Sequence, residues 1–455
     1  MSDKKQPFVF GAAPQKPNPF DRPMLDLAKA AEVSVSEPKS KLKLGITLAE
    51  SHHYEEAKRV LEGLLEALPA SRDLHTWLGS LYRAVGEDEK SVETIRGFFG
   101  RHPNQFLKSK RKDAPSILCA FGVENTEYRL GRSRDGRASK KRRGGHFNLE
   151  YLLNEASYSF NNYSIVENNI NRLDLKGHYD LLLNTIADPD VEMASLKALA
   201  QFVDAHPELP VINHPAQVIP TSRDGNYQTF KHVEGIHFPH TERLYAIGRE
   251  ANEIADDIER RGFAYPFIMR QPGTHTARST ELVVGRDELV SYITDAQSDC
   301  YYVIEFVPNA SAEGHYSKIR FFAIDGILYP VVYHVDQVWN VHGGNRKTFM
   351  ADHDWMQARE AEFLNDPASV IGTEVHERLK KIPALIGLDF FGFDCTVQDD
   401  GTVLIFELNP AMRHSFDHAA NFEYMRSHMQ AITDAFTQMV ETRIQGAPVK
   451  SASGA

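Results

Sequence analysis

Cysteine is scarce in this chain: three residues, at positions 119, 300 and 395, in a length of 455. Thiols so few and so far apart exclude a disulfide framework and a cysteine-bound zinc centre, and they read as reduced core residues. Long apolar runs are missing as well. No window approaches eighteen consecutive apolar residues, and the opening MSDKKQPFVFG has no signal-peptide core, so a cytoplasmic protein without a membrane partner is expected. Positive charge is also in deficit. With 51 Lys and Arg against 62 Asp and Glu the net charge is −11, which argues against a general nucleic-acid binder. His414 and His418 stand four apart without the Glu that completes a zinc helix, so zinc is not expected.

The chain is long enough for two or three domains. Residues 1–38, rich in Pro, Lys, Ser and Gln, read as a mobile tail, and 447–455 as a second one. An internal repeat follows the first. Leu44-Gly45, Tyr54, Ala57, Leu61, Leu65 and Pro69 return as Leu78-Gly79, Asp88, Ser91, Ile95, Phe99 and Pro103, every one shifted by 34 positions. That period is tetratricopeptide-like, so residues 39–106 are expected to form helix pairs that either recognise a peptide or cap the fold. Basic clusters at 108–112 and 132–143 read as loops around a first strand at 115–123. Short apolar runs at 116–121, 163–166, 179–184 and 210–213, with a helix over 190–205, suggest a small parallel sheet of doubly wound type within 107–222. Asn184 ends one of those strands, where ligands bind in such sheets. Helical spacing of Met425, Met429, Ile432, Phe436 and Met439 predicts a closing helix.

The segment LDFFGFDCTVQDDGTVLIFELNPAM carries the chemistry. A hairpin turned on Asp400-Gly401 pairs 399 with 402 and so places Asp394 opposite Glu407, with Asn409 on the same face across from Gly392. Phe391, Phe393, Cys395, Val397, Leu404, Phe406 and Leu408 fall on the reverse face, whose burial fixes the register and turns the acids outward. Opposed like charges repel unless a cation lies between them. Two carboxylates and an amide oxygen are hard donors suited to Mg²⁺; the bland alternative is an acidic solvated strand.

The order D-x-x-G-F-D, turn, F-E-x-N-P resembles the metal-binding end of the ATP-grasp superfamily. Further segments resemble it in order over residues 115–445: Asn213-His214-Pro215, Ser222-Arg223-Asp224 and the run 235–241, then PFIMR at 266–270 with its Gly-Thr-His-Thr loop, YYVIEFVP at 301–308 and HYSKIRFFAIDGILYPVV at 315–332. The resemblance implies an α/β (α+β) fold, with a substrate-side domain at 107–222 before a nucleotide-binding catalytic domain at 223–446. It implies ATP and Mg²⁺ as cofactors, with Asp394, Glu407 and Asn409 as metal ligands. Arg270, where the family usually has lysine, would contact the inner phosphates with the loop residues Gly273, Thr274, His275 and Thr276. Glu305, Phe306 and Val307 would read adenine, and Glu313 the ribose. Arg320, assisted by Lys318, would face the terminal phosphate, and Arg413 would hold a substrate carboxylate or the acyl phosphate. His342 and His414 stand as substrate-pocket candidates. The implied activity is an ADP-forming ligase joining a carboxylate to an amine through an acyl phosphate, with a peptide as a possible acceptor and a homo-oligomer admitted. A kinase of the same fold, or a nucleotide-regulated binding protein, are the competing readings.

Overall fold

A computed structural model of the protein describes residues 37–133, 135–175, 179–274, 279–341, 346–417 and 419–446. The chain forms two compact units, Met1–Phe98 with Glu127–Arg143, and Phe99–Thr126 with Gly144–Ala455.

The larger unit begins with a five-stranded sheet. β1 (Phe106–Leu107) and β2 (Ser116–Gly122) come first; the chain then leaves through a hairpin, β3 (Glu127–Arg132) and β4 (Ala138–Arg143), that belongs to the smaller unit. It returns as β5 (Ser159–Ile165), β6 (Leu181–Asn184) and β7 (Val211–Ile212). The order is β1-β5-β2-β6-β7, parallel except for the edge strand β1. Leu181–Asn184 is buried throughout, as an apolar strand covered on both faces must be. After β6, Asp188 caps the helix Pro189–Asp204 by accepting from the Asp190 amide, and Pro189 fills its first turn.

Next come β8 (Ile236–His237), β9 (Thr241–Tyr245), β10 (Phe267–Arg270), β11 (Glu281–Val283) and β12 (Cys300–Glu305). The last four make an antiparallel sheet ordered β11-β10-β12-β9, backed by helices Ala251–Arg260 and Arg286–Ala296 around Leu244, Ile254, Ile258, Phe267, Leu289 and Val303. β13 (Tyr316–Ile324), β14 (Ile327–Asp336), β15 (Phe390–Val397) and β16 (Val403–Asn409) form a third sheet with β8, ordered β14-β13-β15-β16-β8. Both of its faces are buried: Phe321, Phe391 and Phe393 lie on one, and Phe322 and Phe390 on the other, where Phe436 of the closing helix Arg426–Gln445 packs on Phe390.

In the β15–β16 hairpin Asp394 does face Glu407 and Gly392 faces Asn409, but by a different route from the simple turn. Gln398 and Thr402 close a three-residue loop, Asp399-Asp400-Gly401, in which Gly401 takes φ +81°. That loop shifts the pairing by one, and a bulge restores it: Cys395 pairs with Ile405, leaving Phe406 as the extra residue. The bulge corrects the expected faces. Ile405 goes to the core, while Leu404 and Phe406 turn to the same side as Glu407.

The smaller unit holds helices Pro38–Glu50, Tyr54–Glu62, Arg72–Ala84 and, as far as Phe98, Asp88–Arg101; their first residues recur 34 apart. The repeated glycines do equivalent work. A Cβ on Gly45 would lie 2.4 Å from Leu61, and one on Gly79 2.7 Å from Ile95, so both mark where paired helices approach too closely for a side chain. Two boundaries are corrected. The helical segment does not run to 106, since Phe106–Leu107 is already an edge strand. The basic stretch expected as loops is mainly the ladder β3–β4, in which Glu127 pairs Arg143 and Leu130 pairs Lys140.

Candidate active site

A cavity of about 150 Å³ opens where the ends of β10 and β12 and the outer faces of β13, β15 and β16 converge. One part of its wall is apolar: Ile268, Ile304, Trp339, Val341, and the two side chains delivered by the bulge, Leu404 and Phe406. Trp339 meets Phe306 edge-on, with ring centroids 5.6 Å apart. Such a wall suits a flat aromatic ligand. Phe306 and Val307 line the same cavity. Glu305 does too, although its carboxylate is engaged, accepting from His237 Nε2 at 3.1 Å and the His240 amide at 2.9 Å. That imidazole lowers the Glu305 pKa.

The rest of the wall is charged. Arg320 on β13 stands directly across from Asp394 and grips it with both arms, Nε to Oδ1 at 2.6 Å and the second nitrogen to Oδ2 at 2.8 Å; Lys318 Nζ adds a contact at 3.2 Å. Asp394 therefore does not face solvent as expected. It is 2% exposed, the floor of the cleft beneath two cations. Burial pushes its pKa up, and the Arg320 and Lys318 charges more than reverse this, holding it well below the usual carboxylate range. Glu407 is more open. Its Oε1 accepts from Asn409 Nδ2 at 2.7 Å and pairs with Arg223 at 3.2 Å. Burial raises the Glu407 pKa, and the Arg223 and Arg270 charges bring the net shift below the ordinary value. For Arg270, burial and the neighbouring Arg223 bring the pKa down to about 10. Two guanidinium groups in one cleft with a single carboxylate between them are poised for an added anion.

The donor set also fits a divalent cation. Asn409 Oδ1 is buried and has no hydrogen-bond partner, and it stands beside the Glu407 carboxylate. An orphaned hard oxygen next to a carboxylate matches what Mg²⁺ takes, and Asp394 faces that carboxylate across the hairpin.

A smaller cavity of about 50 Å³ adjoins, sharing Arg223, Arg270 and Glu407 and adding Asp188, Asp190, Tyr302, Asn409, Gly273 and Thr274. Thr274 is pinned: its carbonyl accepts from Arg270 and its hydroxyl donates to the Gln271 carbonyl at 2.6 Å. Below lies a network centred on Arg243, which bonds Asp190 at 2.6 Å and Asp224 at 2.9 and 3.0 Å, while the Tyr302 hydroxyl donates to Asp190 at 2.7 Å.

Not every expected residue gathers here. Glu313 is exposed and lines a different cavity with Trp355 and Arg359. Arg413 lies outside the cleft, its side chain 64% exposed and paired with Asp417 at 2.9 Å. His414 is no pocket residue. It is buried against Phe322 and Phe416 and bonded to Thr433, and burial brings its pKa down to about 4. His275, Thr276 and His342 lie outside the described residues. Sequence reasoning did not single out Arg223 as a site residue, nor Asp188, Asp190, Tyr302 or the cleft-facing Leu404 and Phe406. For Arg223 one signal existed, a helix start at Ser222, whose hydroxyl accepts from the Gly225 amide and so fixes the arginine in the first turn.

No family model and no curated protein matches the chain. Solved structures do. The D-alanine–D-alanine ligase of Bacillus anthracis aligns at 11% identity and a TM-score of 0.40, covering 73% of this chain and 99% of that one. D-alanyl-alanine synthetase A of Vibrio cholerae gives 10%, 0.41, 73% and 98%. The N5-carboxyaminoimidazole ribonucleotide synthetase of Thermotoga maritima gives 13%, 0.37, 70% and 75%. All three TM-scores fall below 0.5, so the functional reading rests on the cleft itself. Among the described residues no helix is long and apolar enough to cross a membrane.

Proposed function

We propose that this chain is an ATP-dependent carboxylate–amine ligase of the ATP-grasp kind, forming ADP and passing through an acyl phosphate. The observation that carries the reading is the opposition of Asp394 and Glu407 across a bulged hairpin, with Arg320, Lys318, Arg223 and Arg270 gathered on them and an apolar wall beside them.

Leu404, Phe406 and Ile304 would pack on adenine, and the backbone of Phe306 and Val307 would read it, with Glu305 at its edge. Arg270, with Gly273 and Thr274, meets the inner phosphates. Glu407, Asn409 and Asp394 would hold Mg²⁺, which when bound would supply positive charge for phosphoryl transfer from ATP. A substrate carboxylate oxygen attacks the γ-phosphorus and the bond to ADP breaks. Negative charge spreads over the transferred group, and Arg320 and Lys318 release part of their hold on Asp394 to meet it. The amine then attacks the acyl carbon, inorganic phosphate leaves and a proton passes from nitrogen. The helical unit is read as tetratricopeptide-like on its 34-residue recurrence, which favours a peptide as acceptor. Its setting is the cytoplasm, in keeping with three scattered thiols.

The test is oxygen tracing. The full chain is incubated with Mg-ATP, an amine pool and carboxylates labelled with ¹⁸O; release of ADP with label in the free phosphate and a dehydrated product by mass is expected. ADP with a stable phosphoester would instead make the protein a kinase. Failure to retain Mg-ATP in equilibrium dialysis would remove the nucleotide from the reading altogether.

A further inference from the structure

A second cavity of the larger unit, about 860 Å³, lies away from the cleft and shares no residue with it. It sits at the amino-terminal ends of β2 and β5, lined by Ser116 and Ser159, and is bordered by the edge strand β1. Its charge is opposite to that of the chain as a whole. Arg101, Lys108 and Arg172 line it against a single acid, Asp174, and among the described residues none of the three cations has an ion-pair partner. A basic rim left unpaired on a molecule of net charge −11 attracts anions locally.

Two further features say what kind of anion. Asn161 on β5 is 1% exposed, and it spends its amide hydrogens on Asn104 at 2.7 Å and the Tyr179 hydroxyl at 2.7 Å, yet its Oδ1 is buried with no partner. An acceptor so placed calls for an incoming N–H or O–H, which a peptide amide supplies. Among the described residues no strand pairs with the outer side of β1. Gln105 exchanges both backbone bonds with Asn162, so the next residue, Phe106, directs its own N–H and C=O off the free side of the sheet. Its side chain is 71% exposed and that of Leu107 is 41% exposed. Unpaired edge backbone flanked by bare apolar side chains is a template for strand addition.

We propose that this cavity and the β1 edge dock an extended acidic peptide. Its backbone continues the sheet beyond Phe106, one apolar side chain covers Phe106 and Leu107, a donor reaches Asn161 Oδ1, and its carboxylates meet Arg101, Lys108 and Arg172.

Selection of randomised decapeptides against the full chain, without nucleotide, tests this apart from the ligase reading. Enriched sequences are expected to carry several Asp or Glu with interspersed apolar residues. A selected peptide, labelled and followed by fluorescence anisotropy, is expected to bind at least about tenfold more weakly to the double variant Arg101→Glu, Arg172→Glu and to weaken with added salt, while Glu407→Gln binds it as the native chain does. Both arginines are exposed, so the double variant is expected to keep its native melting curve. Enrichment of basic or uncharged peptides, undiminished binding to the double variant, or full displacement of the peptide by millimolar inorganic phosphate would each overturn the proposal, the last by making this a small-anion site.

Discussion

Two hairpins in this protein crowd like charges, and they treat them in opposite ways. In β15–β16 two carboxylates face each other inside a five-stranded sheet, and each is met by cations within hydrogen-bonding reach: Arg320 and Lys318 for Asp394, Arg223 for Glu407. In β3–β4 eight basic residues stand against two acidic ones over 127–143, and Arg129 faces Lys141 directly across the ladder with both exposed. The difference is dielectric. Charges taken out of water must be neutralised by neighbours, whereas charges left in it are screened within about 8 Å at physiological salt. A tightly compensated cluster therefore marks a place where the chain has placed charge for a reason other than solubility.

The strongest way to break this contrast is Asp394→Asn. The substitution strands Arg320 and Lys318 over the floor of the cleft, so a loss of about 3–5 kcal/mol in urea unfolding is expected. The sign with pH follows from the depressed carboxyl. Its contribution is fully present above the unfolded value near 4 and fades as pH falls toward the lower folded value, so the native protein and the variant should converge in stability at acid pH. A variant as stable as the native chain at pH 7 would show that the cations need no carboxylate.

Glu407→Gln is expected to act on turnover instead. Its partners Arg223 and Asn409 still find an amide oxygen, so the melting temperature should move little, while ADP release falls about 10²- to 10³-fold. Turnover retained in full would remove the hairpin from the chemistry.

How much of this was legible follows the range of the interactions. The opposition of Asp394 and Glu407 is readable from the alternation of Phe391, Phe393 and Cys395, although the strand proves to be buried on both faces. The bulge was not. Phe406 is apolar and satisfies either side, so no local pattern announces that it and Leu404 line the cleft. Arg223 acts on a strand about 183 residues away, through Glu407 and the Phe406 carbonyl at 3.2 Å, and sequence spacing carries no trace of that closure. Arg413 failed for the opposite reason: proximity in sequence to the metal strand suggested a role, and the chain turns it to solvent. The basic run at 132–143 reads as loops because charge on both faces masks its strand alternation; the hairpin's only large uncharged side chains, Tyr128 and Leu130, lie on the other strand.

In the helical unit, packing rather than charge decides. Gly79→Ala puts a methyl group 2.7 Å from Ile95, an overpacking cost that outweighs the gain in helix propensity, so a net loss of about 1 kcal/mol is expected with cleft activity unchanged. Gly63→Ala is the control. It has φ −64° and nothing nearer than 3.6 Å, and it should be neutral or stabilise by about 0.4–1 kcal/mol.

The smallest effect is expected at Lys141→Glu, and it sharpens the contrast most. The side chain is exposed, its stem covers Gly131 with a contact that Glu retains, and the charge opposite it is Arg129, which already pairs with Glu127 on its own strand. Reversal turns a repulsive cross-strand pair into an attractive one, so stability should rise by no more than about 0.5 kcal/mol and the gain should vanish at high salt. Urea midpoints at two ionic strengths read both. A loss above about 1 kcal/mol, insensitive to salt, would mean that the basic ladder is held by its charges as the acidic hairpin is, and that solvent exposure does not separate the two.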